Sequence, residues 1–268
     1  MTERVSLMGL GFDPLTEIEA VDAILDGVGR DDGGWVVTPN LEYLREYQLA
    51  DDVRDAFEEA DLVVPDGTPL LWASQLKRDP LPGRVAGSDL IWSLSRAAAR
   101  RRASVYLVGG SPGTAERAAN CLRRECPGLQ IRGAACPPQG FDRHADDVRK
   151  IAELVARAGP DVVFIGLPLR KHLTLARALR ELLPHAWLVG VGVSFSFVAG
   201  DIARAPRWVQ RMGLEWVHRL AQEPARLFRR YVVDGLPFAL RLLAYAALSR
   251  VLSRLALRPD RIEPRRGA

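Results

Sequence analysis

The chain is poor in the residues that build most staples and metal centres. It has three cysteines in 268 residues, and Cys121, Cys126 and Cys136 form no C-x-x-C pair. An odd, unpaired set supports neither a disulfide framework nor a zinc site, and it fits a reducing compartment. The four histidines, His144, His172, His185 and His218, are scattered without H-E-x-x-H or any other ligand spacing. There is no Walker A and no D-x-D, the carboxylate pair that usually holds a divalent metal on a nucleotide diphosphate. No metal site is expected. No apolar leader opens the chain either, because Thr2, Glu3 and Arg4 run straight into a short apolar stretch, so secretion is not expected.

What is present is a composition of 48% apolar and 26% charged residues. That excludes collagen, a disulfide mini-protein and a disordered tail protein. The length accommodates one large α/β domain plus an extension, or two small domains. The net charge of +4 is unevenly spread: residues 201–268 hold 14 Arg, no Lys and 6 acidic residues, which leaves residues 1–200 at −4. An acidic body with a basic tail points the tail at something anionic, either phosphate or a lipid surface.

Short apolar runs at Val5–Met8, Trp35–Thr38, Leu62–Pro65, Val105–Val108, Val162–Ile165 and Leu188–Val191 read as buried strands. Helical spacing fills Glu42–Glu59, Asp89–Arg102, Thr114–Glu125, Asp146–Ala158 and Lys171–Leu183 between them. The alternation predicts an α/β, Rossmann-like, mostly parallel sheet with helices on both faces over residues 1–200. Residues 201–268 form a basic helical appendage: a helical stretch Val209–Tyr231, broken at Pro224, then the apolar Leu236–Leu257 interrupted by Arg241, Arg250 and Arg254. Three arginines near mid-span make a bilayer crossing expensive. Two readings remain for this helix, one lying in a membrane interface with its arginines snorkelling, the other packed on its own domain.

Ligands of parallel α/β sheets bind beyond the carboxyl ends of the strands, and three such ends carry polar residues. At Thr38-Pro-Asn40 the side chains either hydrogen-bond a polyol or cap the following helix. At Pro65-Asp66-Gly67 a carboxylate is held over the crevice, as a general base, as an Asx-turn, or as both. At Gly109-Gly110-Ser111-Pro112-Gly113 a glycine turn leads from strand to helix, either cradling phosphate or merely connecting the two. It is not G-x-G-x-x-G, which leaves a nicotinamide-dependent oxidoreductase poorly supported. Arg84 is a further candidate for phosphate, against the ordinary reading of a solvated surface charge.

Taken together, Thr38-Pro-Asn40, Pro65-Asp66-Gly67, Arg84-Val-Ala-Gly87-Ser-Asp-Leu90, Val105–Gly110 and Gly190-Val-Gly192 resemble the WecG/TagA/CpsF family, glycosyltransferase family 26. The resemblance continues through Ala203-Arg-Ala-Pro-Arg-Trp208, Gly213-Leu-Glu-Trp216, Arg219-Leu220, Glu223-Pro224 and Arg229-Arg-Tyr231, in consistent order over roughly residues 35–235. It implies an inverting, metal-independent enzyme of envelope polysaccharide assembly, without a cofactor. Such an enzyme moves a hexosyl unit, typically N-acetylmannosamine or its uronic acid, from a UDP-sugar to a polyprenyl-diphosphate-linked sugar. It further implies Asp66 as general base, with Thr38, Asn40 and Arg84 lining the pocket; without a metal, arginines and the loop of Gly109 and Gly110 would stabilise the departing diphosphate, and Arg170 falls in what should be a pocket-lining loop. Arg204, Arg211, Arg219, Arg226, Arg229 and Arg230 would meet the lipid diphosphate and the membrane.

One departure concerns the loop after Gly166-Leu-Pro168, where the family usually has Gln-Glu and this chain has Arg170-Lys171. Two cations there fit a uronic acid donor, a different neutral donor such as UDP-glucose, or a weakly active copy. Gly83 also replaces a common Glu before the arginine. From another class, a non-catalytic membrane-attached protein that binds nucleotide-sugar or lipid-linked sugar is the alternative. Nucleic acid is not an expected partner, because the tail arginines are interleaved with Leu, Phe, Trp and Tyr and the body is acidic. The expected location is the inner face of the cytoplasmic membrane, attached peripherally. The crevice is completed by that membrane, by a second subunit of a homo-oligomer, or by neither.

Overall fold

Alternate residues of each central strand enter two different cores, which is why the strand segments read as unbroken apolar runs. Val105 and Leu107 face one core and Tyr106 and Val108 the other; Val162 and Phe164 likewise oppose Val163 and Ile165. The computed structural model describes residues 3–256, excluding the side chains of Arg211 and of residues 253–256. The strands are β1 (Val5–Leu7), β2 (Leu10–Phe12), β3 (Gly34–Val37), β4 (Leu62–Val63), β5 (Ser104–Gly109), β6 (Gln130–Ala135), β7 (Val162–Gly166) and β8 (Trp187–Gly190). Six of them form one sheet in the order β4-β3-β8-β7-β5-β6, with every neighbouring pair parallel.

One face of the sheet is covered by helices Glu17–Gly29, Gly87–Arg101, Thr114–Glu125 and Ser194–Ala199. The other carries Leu41–Leu49, Asp51–Glu58, Thr68–Lys77, Ala145–Ala158, Leu169–Leu182 and Leu236–Ala256. The α/β expectation is therefore met, with three differences of detail. Val5–Met8 joins no large sheet but pairs with β2 as a separate antiparallel ribbon. The edge strand β6 is additional; Arg132 and Gly133 interrupt its apolar pattern, and an edge needs only one buried side. The expected Glu42–Glu59 helix is two, because Ala50 is extended and Asp51 and Asp52 open a new first turn.

Beyond Gly200 the chain breaks into short helices Arg207–Arg211, Glu215–Gln222 and Pro224–Phe228, then a wide π turn, Arg229–Gly235, that runs into Leu236–Ala256. Pro224 starts a helix, as its missing N–H permits. In the last helix Phe238, Leu242 and Ala246 recur every fourth residue and are buried in the sheet's own core, beside helix Thr68–Lys77. Leu236, Leu240, Leu248, Val251 and Leu252 remain exposed. One face is thus packed on the domain while the other is apolar and uncovered. By length and composition alone, Pro224–Leu252 is also long and apolar enough to cross a membrane, an 18-residue stretch of it having a mean hydropathy of 1.4. Phe238, Leu242 and Ala246 pack it on the domain along one face.

Candidate active site

The carboxyl ends of β3, β4 and β8 are knitted together by short backbone contacts. The Asp66 N–H donates to the Pro39 carbonyl at 2.9 Å, joining the ends of β4 and β3. The Thr38 hydroxyl donates to the Gly190 carbonyl at 3.1 Å, joining β3 to β8. Gly87, at the start of the Gly87–Arg101 helix, lies so close to the chain after β8 that an added Cβ would stand 2.9 Å from the Val191 Cα. From there its N–H reaches the Asp66 carboxylate. Asp66 is therefore fixed at the crevice by sequence-local causes: a strand ended by Pro65, and a glycine opposite that allows close approach.

Arg84, Glu215 and Asp89 act on its charge, and Arg204 joins two of them. Arg84 donates from Nη1 to Glu215 at 2.9 Å and from Nη2 to Asp89 at 3.2 Å. Arg204 donates from its two Nη atoms to the two oxygens of Asp89 at 2.6 and 2.8 Å, and from Nε to Glu215 at 3.4 Å. All four side chains are partly buried. Burial pushes the Asp66 carboxyl up to about 6 from the usual 3.8; the Arg84 guanidinium opposes this, Glu215 and Asp89 add to it, and the Gly87 N–H opposes it again. A carboxyl poised there is largely ionised at neutral pH yet basic enough to accept a proton.

Tyr43 borders the same carboxylate. Burial holds its phenol well above the usual range, with Arg230 opposing and the anionic Glu42 and Asp66 reinforcing, so it stays a neutral hydrogen-bond donor. Arg230 itself is paired with Glu42 and lies 5.6 Å from the Tyr231 ring.

Among the remaining expected residues, Asn40 adjoins this group while the others have separate partners. Asn40 caps the Leu41–Leu49 helix, its Oδ1 accepting from the Tyr43 N–H at 3.1 Å, and it stands against Gly67. Gly109 and Gly110 need left-handed backbone, at φ +127° and +75°, and Gly110 spends its N–H on the Gly166 carbonyl at 2.8 Å. The loop's role is first of all a close connection. Gly109 to Gly113 also has G-x-S-x-G spacing, but no hydrogen bond joins Ser111 to a histidine among the described residues. His172 is bound to Trp35, His185 to Asp31 and His218 to Gln222.

Arg170 pairs with Asp52 at 2.8 Å and Glu46 at 3.1 Å, and Lys171 with Asp142 at 3.2 Å, so neither joins the Asp66 group. Of the tail arginines, Arg204 faces inward to Asp89, and Arg219 is 12% exposed, 5.6 Å from the Phe197 ring. Arg226 and Arg229 are exposed, while the Arg211 and Arg254 side chains lie outside those described. Reading the sequence alone assigns no role to Asp89, Glu215 or Tyr43. The available signal was Asp89 and Glu215 standing inside the resembling segments Arg84–Leu90 and Gly213–Trp216.

Comparison with known proteins shows the family. The profile described as "Glycosyl transferase WecG/TagA/CpsF family" matches residues 5–251. An N-acetylglucosaminyldiphosphoundecaprenol N-acetyl-β-D-mannosaminyltransferase of Bacillus spizizenii is 30% identical over 222 residues, 80% of this chain and 84% of that protein. A protein of the same name from Bacillus subtilis strain 168 is 30% identical over 175 residues, 65% of this chain and 66% of its own length. With a match that runs from β1 to the last helix, the chain belongs to the WecG/TagA/CpsF family and is a glycosyltransferase.

Proposed function

We propose that the chain transfers a hexosyl unit, with inversion and without a divalent metal, from a UDP-sugar to a polyprenyl-diphosphate-linked sugar at the inner face of the cytoplasmic membrane. The observation that carries this reading is Asp66: a desolvated carboxylate at a strand's carboxyl end, pushed up to about 6, with the Arg84 guanidinium beside it. Asp66 takes the proton from the acceptor hydroxyl as that oxygen attacks the anomeric carbon opposite the nucleotide. The bond from that carbon to the diphosphate oxygen breaks, and UDP leaves carrying the negative charge. Tyr43 supplies a neutral donor at the same edge. The relatives' names favour an N-acetylglucosaminyl acceptor on undecaprenyl diphosphate and N-acetylmannosamine as the sugar moved.

The donor reading narrows for a physical reason. Arg170 and Lys171 already have protein carboxylates as partners, so a uronic acid would have to displace Glu46, Asp52 or Asp142 to reach them. This favours a neutral sugar. Membrane attachment is supported by the uncovered leucines of the last helix together with the exposed Arg226, Arg229 and Arg241. The test is UDP release from a panel of UDP-sugars in EDTA, with and without a short-chain polyprenyl-diphosphate N-acetylglucosamine. Acceptor-dependent release from one donor is the expected result. Binding without release from any donor would replace this reading with the non-catalytic one.

A further inference from the structure

Arg84, Glu215, Arg204 and Asp89 form a closed ring of alternating charges. Two guanidiniums and two carboxylates are joined by contacts of 2.9, 3.4, 2.6 and 3.2 Å in that order around the ring. Two members come from the sheet domain and two from the segment after Gly200, and the ring's net charge is zero. The Val85 N–H donates to the Pro65 carbonyl at 2.8 Å and so brings Arg84 beside Asp66, yet among the described residues no hydrogen bond joins Arg84 to Asp66: both Arg84 Nη atoms donate to ring carboxylates.

We propose that Glu215 is a positioning residue for the transfer: by holding the Arg84 guanidinium in the ring, it keeps Asp66 from being captured in an ion pair and leaves that carboxylate open to the acceptor's proton. The inference rests on Asp66 acting as the base. A guanidinium beside a partly buried carboxylate ordinarily binds it through two parallel N–H bonds, which would occupy its lone pairs and weaken it as a base. The ring gives Arg84 other carboxylates to satisfy. Its positive charge stays near Asp66, where it also serves the departing diphosphate, while an N–H of each Nη is engaged by Glu215 and Asp89.

The backbone places Glu215 for this task. Gly213 adopts φ +73°, and a Cβ there would stand 2.7 Å from the Thr68 Cγ2, so the turn sits directly on the residue two beyond Asp66. Glu215 then opens the Glu215–Gln222 helix, with its side chain 17% exposed. The charged and titratable groups facing Asp66 are Arg84 and Asp89 from the Gly87 side, Glu215 from the later segment, and Tyr43 from the Leu41–Leu49 helix.

The experiment measures the pH dependence of kcat/KM for wild type, Glu215→Gln and Glu215→Asp. In parallel, the Asp66 carboxyl carbon is titrated by NMR in the unliganded proteins. In Glu215→Gln the acid limb and the Asp66 titration both move down by about one pH unit, because Arg84 is released toward Asp66. At neutral pH kcat falls about tenfold or more while KM changes less, and Glu215→Asp restores most of both. A Glu215→Gln protein that loses activity equally at every pH, with the Asp66 titration unmoved, would overturn the proposal and leave Glu215 merely structural. Should Glu215→Gln fail to fold, Arg204→Gln leaves two ring carboxylates against one cation and must move the limb upward; an unmoved limb there overturns the proposal equally. Asp66→Asn separates the two layers. Wild-type turnover in that variant removes the base itself, whereas lost turnover with an unmoved limb in Glu215→Gln removes only the role of Glu215.

Discussion

Replacing Asp66 by Asn should stabilise the protein while disabling it. A carboxyl held at about 6 when folded, against 3.8 ordinarily, binds its proton more tightly in the folded chain. Between those pH values the folded state carries more protons than the unfolded one, so stability declines as pH rises through that window and the cost is complete above it. At 1.36 kcal/mol per pH unit the cost reaches about 3 kcal/mol at neutral pH. Asn keeps the shape, carries no charge and can still accept the Gly87 N–H, so it relieves about 1–3 kcal/mol at pH 7.5 and almost nothing at pH 4. For a chain of this size each kcal/mol is worth roughly 2–4 °C in Tm. Thermal unfolding followed by circular dichroism at pH 4, 5, 6 and 7.5 should show Asp66→Asn melting several degrees above wild type at the alkaline end. The gap should close toward pH 4. A Tm equal to or below wild type at pH 7.5, or a gap that ignores pH, would refute burial as the origin of the raised carboxyl.

Other perturbations test the frame around that carboxylate. Gly213→Ala forces a Cβ to within 2.7 Å of Thr68 at a left-handed φ of +73°. It should cost about 1–3 kcal/mol, read by urea unfolding, and lower kcat by unseating Glu215; an unchanged midpoint would contradict the close contact. Leu242→Ala removes a fully buried side chain of the last helix and should cost about 2–5 kcal/mol, whereas a loss below about 1 kcal/mol would mean that the helix is not packed on the domain. Leu240→Ser with Leu248→Ser changes only the uncovered face, so Tm should hold while co-sedimentation with anionic vesicles falls. Undiminished vesicle binding would locate the attachment elsewhere. Thr38→Val deletes the bond to the Gly190 carbonyl and should cost about 1 kcal/mol by the same unfolding assay, with no loss if that bond is not formed.

The sheet was legible in the sequence because strands buried on both faces, such as β5 and β7, leave continuous apolar runs that little else produces. β6 was not, because an edge strand with one buried side tolerates Arg132 and Gly133. Asp66 could be read from a local pattern, an apolar strand ending in Pro-Asp-Gly, and it stands where that pattern puts it. Its electrostatic neighbours could not. Arg84 and Glu215 are 131 positions apart, and Arg204 and Asp89 are 115 apart, so no spacing rule connects them. The tail's charge count misled in a related way. Composition records how many arginines a segment holds but not which way they point, and Arg204 and Arg219 turn inward while Arg226 and Arg229 do not. Arg170 illustrates the same limit: adjacency to Gly166-Leu-Pro168 placed it in a pocket-lining loop, and two carboxylates from the Leu41–Glu58 region hold it on the surface.

The central claim is that Asp66 removes the acceptor's proton, and the most direct measurement is turnover by folded Asp66→Asn protein with the donor and acceptor that serve wild type. Deleting a general base lowers the rate by about two to four orders of magnitude. A loss of that size, in a protein that melts above wild type at pH 7.5 and binds donor at least as well, is what the account predicts. Turnover within a few-fold of wild type would contradict it and move the search for the base to Glu215 or Asp89.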